Sequence, residues 1–260
     1  MKAFKTVTSR ENSLIKLTSL LQSSANARKE NRLFVLEGLR ICKDAFENGI
    51  WFDKLIISDS AYLKFQNEID EFSENSTECF KIPDSLFKKI SDTTSPQGII
   101  ALAQMPDTTT TEIDKNGRYI ALENIQDPSN LGAVSRTAEA LGVTGIILSR
   151  GGCDPYSPKS LRASMGTLLR MPIMILDDFA NSISALGLKT FGCVVDKDAE
   201  KINDITMENG VVFIIGNEAN GLTDETKNKL DRLVTIPMNG RAESLNAAVA
   251  ASIVMWEMMK

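Results

Sequence analysis

Apolar and polar residues alternate with two different periodicities along the first 105 residues, one typical of helices and one typical of strands. Leucines recur at the spacing of one helical face between residues 11 and 23, which predicts a helix there. Short apolar runs typical of strands lie at 32–38, 54–58, 79–82 and 98–105. Helical patterns lie between these runs, at 39–48, 60–72 and 83–91. The polar stretch 23–32 is expected to be a loop or a helix end, and 73–78 a loop. This alternation predicts a small α/β domain.

The same alternation resumes after residues 106–117, which lack periodicity and are rich in Thr, Asp, Gly and Pro. Strand-like runs lie at 118–124, 144–149, 189–195, 211–216 and 233–237. Helical patterns lie at 131–142, 161–170, 178–186 and 223–230, and a last helix ends the chain. Continuous apolar runs such as 211–215 are typical of a parallel sheet covered on both faces. We therefore predict two α/β domains, 1–105 and 118–260, joined by a linker over 106–117.

The terminal helix is apolar on every side. One stripe contains Leu245, Val249, Ile253 and Trp256, and the opposite side contains Ala247, Ala250, Ala251, Val254 and Met258. A helix that is apolar all round is buried all round. Ordinary core packing and an additional subunit interface both explain this pattern.

The composition limits the possible chemistry. The chain has no histidine, which removes the usual general base and the commonest metal ligand. Its four cysteines are far apart and form no CxxC pair, so we expect reduced thiols and no bound metal. No apolar run reaches membrane-spanning length and no secretory signal is evident, which predicts a cytoplasmic protein without a membrane partner.

The charge is distributed unevenly. The net charge is −5, which argues against a nucleic-acid partner, but an acidic stretch at 59–78 masks a basic amino terminus. Its basic side chains Arg10, Lys16, Arg28, Lys29 and Arg32 are the candidates for contacts with nucleic-acid phosphates. For an isolated run of charge, a solvated helical face is the favoured explanation.

Three loops follow buried strands and should meet at the carboxyl edge of the sheet: 124–130, 216–221 and 239–246. In the first, Asn130 stands before a helix as an expected N-cap, and Arg136 points away from the core face of that helix. The second offers flexible glycines with the polar groups of Asn217 and Glu218. The third places Ser244 and Asn246 at a helix start, where capping is the simpler explanation. A GxGxxG fingerprint is missing, which disfavours a nicotinamide dehydrogenase.

Together the three loops resemble a known family. The stretches ENIQDPSNLGAVSRTAEALG, VFIIGNEANGL and IPMNGRAESLNAAVAASI are similar, in order and spacing, to the three motifs of the SpoU (TrmH) branch of the SPOUT RNA methyltransferases. The resemblance covers residues 118–260 and includes SPKSLRASMGTLLRMPI. Residues 1–105, with RLFVLEGLRICKDA and SPQGIIALAQMP, resemble the L30e-like RNA-binding domain that many members carry in front.

The resemblance implies an S-adenosylmethionine-dependent methyltransferase acting on an RNA ribose 2′-hydroxyl. It implies a trefoil-knotted carboxyl-terminal domain and a homodimer formed through the knot region. The implied cofactor contacts are Gly216, Asn217, Ile236, Met238, Leu245 and Asn246. The implied catalytic arginine is Arg136, surrounded by Asn130, Glu218, Ser244 and Asn246. Large-subunit rRNA is the expected substrate; tRNA, or a non-catalytic knotted RNA-binding assembly factor, are the alternatives.

Overall fold

The computed structural model describes residues 2–108 and 112–260. Residues 109–111 of the predicted linker lie outside the described part of the chain, as does residue 1. The chain divides into two units. The first unit is Met1–Pro106 with Tyr156–Arg170, and the second unit is Asp107–Pro155 with Met171–Lys260.

Up to residue 106, helices and strands alternate in the predicted way. The elements are β1 (Phe4–Thr6), α1 (Ser13–Ser23), α2 (Ala25–Asn31), β2 (Leu33–Glu37), α3 (Leu39–Glu47), β3 (Phe52–Ser58), α4 (Asp59–Lys64), α5 (Gln66–Glu74), β4 (Ser76–Ile82), α6 (Asp84–Ile90) and β5 (Ile99–Gln104). They form a mixed sheet in the order β1-β4-β3-β5-β2, in which β1, β4 and β3 run parallel and β5 runs antiparallel to β3 and β2. Helices α1 and α6 pack on this sheet through a shared apolar core.

The alternation continues after residue 107. The elements are β6 (Arg118–Leu122), α7 (Pro128–Leu141), β7 (Gly145–Ser149), α8 (Pro158–Ser164), α9 (Thr167–Arg170), β8 (Ile173–Leu176), α10 (Phe179–Ala185), β9 (Lys189–Cys193), β10 (Glu200–Lys201), a 3₁₀ turn (Ile202–Asp204), β11 (Val211–Ile215), α11 (Asp224–Lys227), β12 (Arg232–Thr235) and α12 (Ala247–Met259). Of these, α8 and α9 belong to the first unit and the others to the second.

The sheet of the second unit is parallel, as predicted. Its order is β10-β12-β9-β11-β6-β7-β8, and each neighbouring pair of described strands runs parallel. All residues of β11 are buried between β9 and β6, and the rings of Phe191 and Phe213 stack at a centroid distance of 4.7 Å. Because parallel strands end at the same edge, the segments after β6, β9, β11 and β12 emerge side by side.

Several local predictions need correction. Residues 25–31 are helix α2, because the Ser24 hydroxyl caps it by accepting from the Ala27 backbone N–H at 3.2 Å. The predicted helix 60–72 is broken at Phe65 into α4 and α5. Residues 76–78 belong to β4 rather than to a loop, since Ser76 and Glu78 pair with β3. The short strands β1, β8 and β10 were not predicted.

The segment Tyr156–Arg170 lies in the first unit, whereas the sequence placed it within 118–260. The Tyr156 ring packs on Phe34 at a centroid distance of 5.1 Å, and Arg170 forms an ion pair with Asp44. Leu161 is buried. These contacts explain why this segment belongs to the first unit, although it follows the linker in the chain.

One residue of the predicted RNA-contacting set is part of the interior. Arg28 is 4% exposed, and its guanidinium donates to the carbonyl oxygens of Leu21 at 2.6 Å and Gln22 at 3.3 Å. Its charge joins the end of α1 to α2. Arg28 is therefore withdrawn from the RNA-contacting set.

In the part of the chain that the structure describes, no helix combines the length and the apolar character needed to cross a bilayer.

Replacing Arg28 by Ala is expected to lower the free energy of unfolding by about 2–3 kcal/mol, because it leaves the Leu21 and Gln22 carbonyls without their donor. Urea unfolding followed by circular dichroism measures this loss. Lys29 is the matched control, since it is exposed on the same helix. Lys29→Ala should change stability by less than about 0.5 kcal/mol. Equal losses for the two variants would contradict a structural role for Arg28.

Candidate active site

A cavity of about 590 Å³ lies in the second unit, at the carboxyl ends of β9, β11 and β12. Most of the residues predicted to hold a cofactor line it: Gly216, Asn217, Ile236, Met238 and Leu245. Glu218 and Ser244 line it as well, whereas Asn246 does not. Two of the three predicted loops thus meet at a single cavity.

The loop after β11 is a tight hairpin. Asn217 and Gly221 exchange backbone hydrogen bonds of 3.0 and 2.9 Å, and the Asn217 side-chain oxygen accepts from the N–H groups of Ala219 and Asn220. A Cβ on Gly216 would lie 2.1 Å from the Gly221 carbonyl carbon. Only glycine fits at position 216, so the cavity wall there is bare backbone.

The Glu218 carboxylate holds the loop after β6 against this hairpin. It accepts from the backbone N–H groups of Gln126 and Asp127, both at 3.1 Å, and from the Asn130 side-chain amide at 2.9 Å. Burial alone would raise the pKa of Glu218, but these hydrogen bonds outweigh it and lower the pKa below the ordinary value of 4.5. The carboxylate is thus held in its charged form as an acceptor.

The Asn130 side chain connects two loops by hydrogen bonds, and Asn130 is not the predicted N-cap. Helix α7 begins earlier, with Asp127 as the cap and Pro128 in the first turn, so Asn130 lies inside the helix and is buried. Its side chain donates to Glu218 and accepts from Asn246 Nδ2 at 3.0 Å. Asn246 in turn caps α12, its side-chain oxygen accepting from the N–H groups of Ala248 and Val249. A continuous chain Glu218–Asn130–Asn246 therefore joins all three predicted loops.

Arg136 is exposed on α7, as its spacing from the core face predicted. It does not line the cavity, and within the described residues its guanidinium makes no hydrogen bond or ion pair. The neighbouring Thr137 hydroxyl lies 3.2 Å from Ser252 of α12. The structure thus leaves this guanidinium available to a ligand.

Sequence reasoning missed a buried polar group beneath the hairpin. Glu123 is 3% exposed and accepts from Thr223 and Thr226. A glutamate directly after an apolar strand was the available signal.

Cys193 also lines the cavity, and burial raises the pKa of its thiol to about 11, which keeps it protonated at neutral pH. Among the described residues, no group of three histidine, cysteine or carboxylate side chains is placed to bind a metal ion.

A parallel sheet with a cavity at its carboxyl edge is the arrangement in which α/β proteins bind their ligands. Residues 117–256 match the model of the SpoU rRNA Methylase family, and residues 12–101 match that of the MRM3-like substrate binding domain. The chain belongs to the SpoU rRNA methylase family.

Known relatives align along nearly the whole chain. The 23S rRNA (guanosine(2553)-2′-O)-methyltransferase RlmP of Bacillus subtilis is 27% identical over 98% of this chain and 99% of its own length. The 23S rRNA (uridine(2479)-2′-O)-methyltransferase of Streptomyces viridochromogenes is 26% identical over 99% and 93%. The AdoMet-bound rRNA methyltransferase structure from Sinorhizobium meliloti superimposes with a TM-score of 0.85 and 28% identity, covering 98% of this chain and 97% of that one.

The lowered pKa of Glu218 predicts a pH-dependent stability. The carboxylate contributes fully above the unfolded-state value of 4.5, and this contribution is lost as the pH falls through the lower folded-state pKa. The difference in melting temperature between the wild type and Glu218→Gln should therefore be larger at pH 7 than below pH 4.5. Differential scanning calorimetry across this range measures it.

Glu243→Gln is the matched control, because no described residue forms a hydrogen bond or ion pair with that exposed carboxylate. A melting-temperature difference for Glu218→Gln that stays constant with pH would show that its carboxylate does not hold the loops together.

Proposed function

We propose that the chain transfers a methyl group from S-adenosylmethionine to a ribose 2′-hydroxyl of large-subunit rRNA. The observation that carries this proposal is the hydrogen-bonded chain Glu218–Asn130–Asn246, which joins the three family motifs beside one cavity. The 23S rRNA specificity in the names of two full-length relatives supports the choice of substrate.

The cavity fits the cofactor in size and character. Its volume of about 590 Å³ is within the range of pockets for ligands of this size. Gly216, Asn217, Ile236, Met238 and Leu245 would hold the cofactor, in good part through main-chain groups, since a side chain at position 216 would fill the hairpin. When bound, the cofactor would supply a sulfonium-activated methyl group to the ribose oxygen and leave as the thioether S-adenosylhomocysteine, with the hydroxyl proton passing to water.

Arg136 is the residue that we assign to the ribose. A guanidinium is effectively always protonated in proteins, so Arg136 does not serve as the free base. Its donors suit a neighbouring RNA phosphate and the negative charge that develops on the 2′-oxygen. Ser244 and Asn246, at the start of α12, complete the polar side of the site.

The first unit is proposed to bind the RNA backbone. Arg10, Lys16, Lys29 and Arg32 are exposed. Arg10 and Lys16 line a groove of about 440 Å³ between α1 and α6, together with Lys89, which the sequence had not singled out. The two helices are fastened where Gln22 donates to the Ile90 carbonyl at 2.7 Å. Glu11 also lines this groove and pairs with Lys16 at 2.6 Å, so the cations exceed the carboxylates by two. This excess of positive charge suits phosphate contacts that position an RNA without reading its sequence.

Self-association through α12 is part of the same proposal. Val249 and Trp256 are 47% and 57% exposed, whereas Val254, Met255 and Met258 on the other side are fully buried. An exposed apolar stripe on an otherwise buried helix favours a homodimer. Sedimentation as a monomer at micromolar concentration would contradict it. The trefoil knot and the cytoplasmic location stay predictions.

The direct experiment incubates the full chain with methyl-tritiated S-adenosylmethionine and transcribed 23S rRNA, 16S rRNA or tRNA. Label on ribose in 23S rRNA is the expected result, and mapping the resistance to alkaline cleavage locates the nucleotide. Label in tRNA alone would make the substrate assignment wrong. RNA binding without label would favour the assembly-factor alternative.

Arg136→Lys keeps the charge but loses the planar pair of donors. We expect the single-turnover rate of methyl transfer to fall by about 100-fold, as for loss of an oxyanion donor. The dissociation constant for S-adenosylmethionine, measured by calorimetry, should stay within about twofold, because Arg136 does not line the cavity. A near wild-type rate would exclude a role for the bidentate guanidinium.

Replacing Arg10 and Lys89 together by Gln should weaken rRNA binding roughly tenfold and reduce the slope of log K against log salt by about 2. Fluorescence anisotropy over a salt series measures both. Replacing Lys43 and Lys64 by Gln is the charge-matched control, since both are exposed lysines of the same unit outside the groove. Equal effects of the two double variants would show that only net charge matters.

A further inference from the structure

Glu123 is a buried carboxylate that faces hydroxyl and backbone donors. It directly follows β6 and is 3% exposed. Its Oε1 accepts from the hydroxyls of Thr223 at 2.7 Å and Thr226 at 2.6 Å, and its Oε2 accepts from the Thr223 backbone N–H at 2.9 Å. Within the described residues it forms no ion pair, so these hydrogen bonds are what offset the burial of its charge.

These bonds fix the downstream arm of the hairpin. Thr223 follows Gly221 and Leu222, which line the cavity, and it caps α11 by accepting from the Thr226 N–H at 3.2 Å. Lys227, at the end of α11, also lines the cavity. The Glu123 carboxylate therefore sets where the hairpin leaves the cavity wall.

The upstream arm is held by the main chain of the same two residues. The Glu123 N–H donates to the Ile215 carbonyl at 2.9 Å, and the Asn124 carbonyl accepts from Asn217 Nδ2 at 2.8 Å. Asn124 adopts a left-handed conformation with φ of 55° and exchanges hydrogen bonds with the Ser149 hydroxyl. Residues 123 and 124 thus hold both arms of the hairpin at once.

The hairpin itself has little freedom to adapt. Its ends are closed by the Asn217–Gly221 pair, and Gly216 packs against Gly221 without room for a Cβ. A rigid hairpin can change the cavity only by moving as a whole. Its position depends on its points of attachment, which are the hydrogen bonds to Glu218, the main chain of residues 123 and 124, and the Glu123 carboxylate. The Glu123 carboxylate is the one that holds the downstream arm.

We propose that Glu123 is a positioning residue that sets the width of the cofactor cavity through Thr223 and Thr226. It lies outside the cavity lining and acts on cofactor affinity through the hairpin, not on methyl transfer itself. The proposal rests on the assignment of this cavity to S-adenosylmethionine.

The experiment measures the dissociation constant for S-adenosylmethionine by calorimetry, together with kcat and KM for methyl transfer, in full-length variants. Glu123→Gln turns one of the two acceptor oxygens into an N–H₂ group, which then faces either the threonine hydroxyls or the Thr223 N–H. We expect the dissociation constant and KM for the cofactor to rise roughly tenfold or more, with kcat at saturating cofactor within about twofold of wild type. Thr226→Val, which removes one donor, should raise them about threefold to tenfold.

The effects of the Glu123 and Thr226 substitutions on cofactor affinity should not be additive. Because Glu123 and Thr226 share a hydrogen bond, the loss of affinity in Glu123→Gln with Thr226→Val should be smaller than the sum of the single effects. Glu123→Asp keeps the charge on a shorter side chain and should recover part of the affinity. If Glu123→Gln does not fold, Glu123→Asp and Thr226→Val give the test.

Thr190→Val is the matched control. Thr190 is a buried threonine at the opposite end of the same sheet, and its hydroxyl donates to Asp231 at 2.9 Å. Its removal should lower stability but leave the cofactor dissociation constant within about twofold. An unchanged dissociation constant in Glu123→Gln, a fall in kcat alone, or an equal loss of affinity in Thr190→Val would each overturn the proposal.

Gly216→Ala separates this proposal from the assignment of the cavity. Its Cβ would collide with the Gly221 backbone and should abolish cofactor binding. If Gly216→Ala binds S-adenosylmethionine as the wild type does, the cavity has been assigned wrongly. If Gly216→Ala fails to bind while Glu123→Gln binds normally, the assignment of the cavity is supported and the positioning role of Glu123 is wrong.

Discussion

The candidate site depends on the hydrogen bonds that converge on the Glu218 carboxylate. They fasten the start of α7 to the hairpin after β11, and Asn130 passes the connection on to Asn246 at the start of α12. Each of these segments is also stabilised locally, by a helix cap or by a turn. The shared acceptor brings them together, because its oxygens can receive donors from several directions at once. Residues far apart in the chain thereby form one site.

Gly216 contributes bare main chain to the wall beside this network, because a Cβ there would meet Gly221. That explains why GNEANG lacks the pattern of a dinucleotide loop although it borders a cavity of suitable size. Seven of the residues that line the cavity are ones that the family motifs predicted. The prediction of Asn130 as an N-cap was wrong, because Pro128 starts the helix earlier than the apolar pattern does. Glu123 follows an apolar strand, which was a signal in the sequence, but its burial and its threonine partners could not be read from residue types.

The fold was predictable where periodicity was strong. Helix α3 and the buried strand β11 have the predicted type and nearly the predicted bounds. The short strand β1 was missed because three residues carry no period, and it forms only by pairing with β4. Tertiary packing also decides the role of Arg28, whose positive charge looked like an RNA contact but satisfies carbonyl groups in the interior. Charge can be read from sequence, whereas its surroundings cannot.

The segment Tyr156–Arg170 has a consequence for how the protein is made. Residues 1–106 are synthesised first. Phe34 and Asp44 cannot contact Tyr156 and Arg170 until those residues have been translated. By then β6, α7 and β7 of the second unit have already been synthesised. The amino-terminal unit therefore cannot be finished as a separate early product. Its completion is tied in time to the emergence of the catalytic unit from the ribosome.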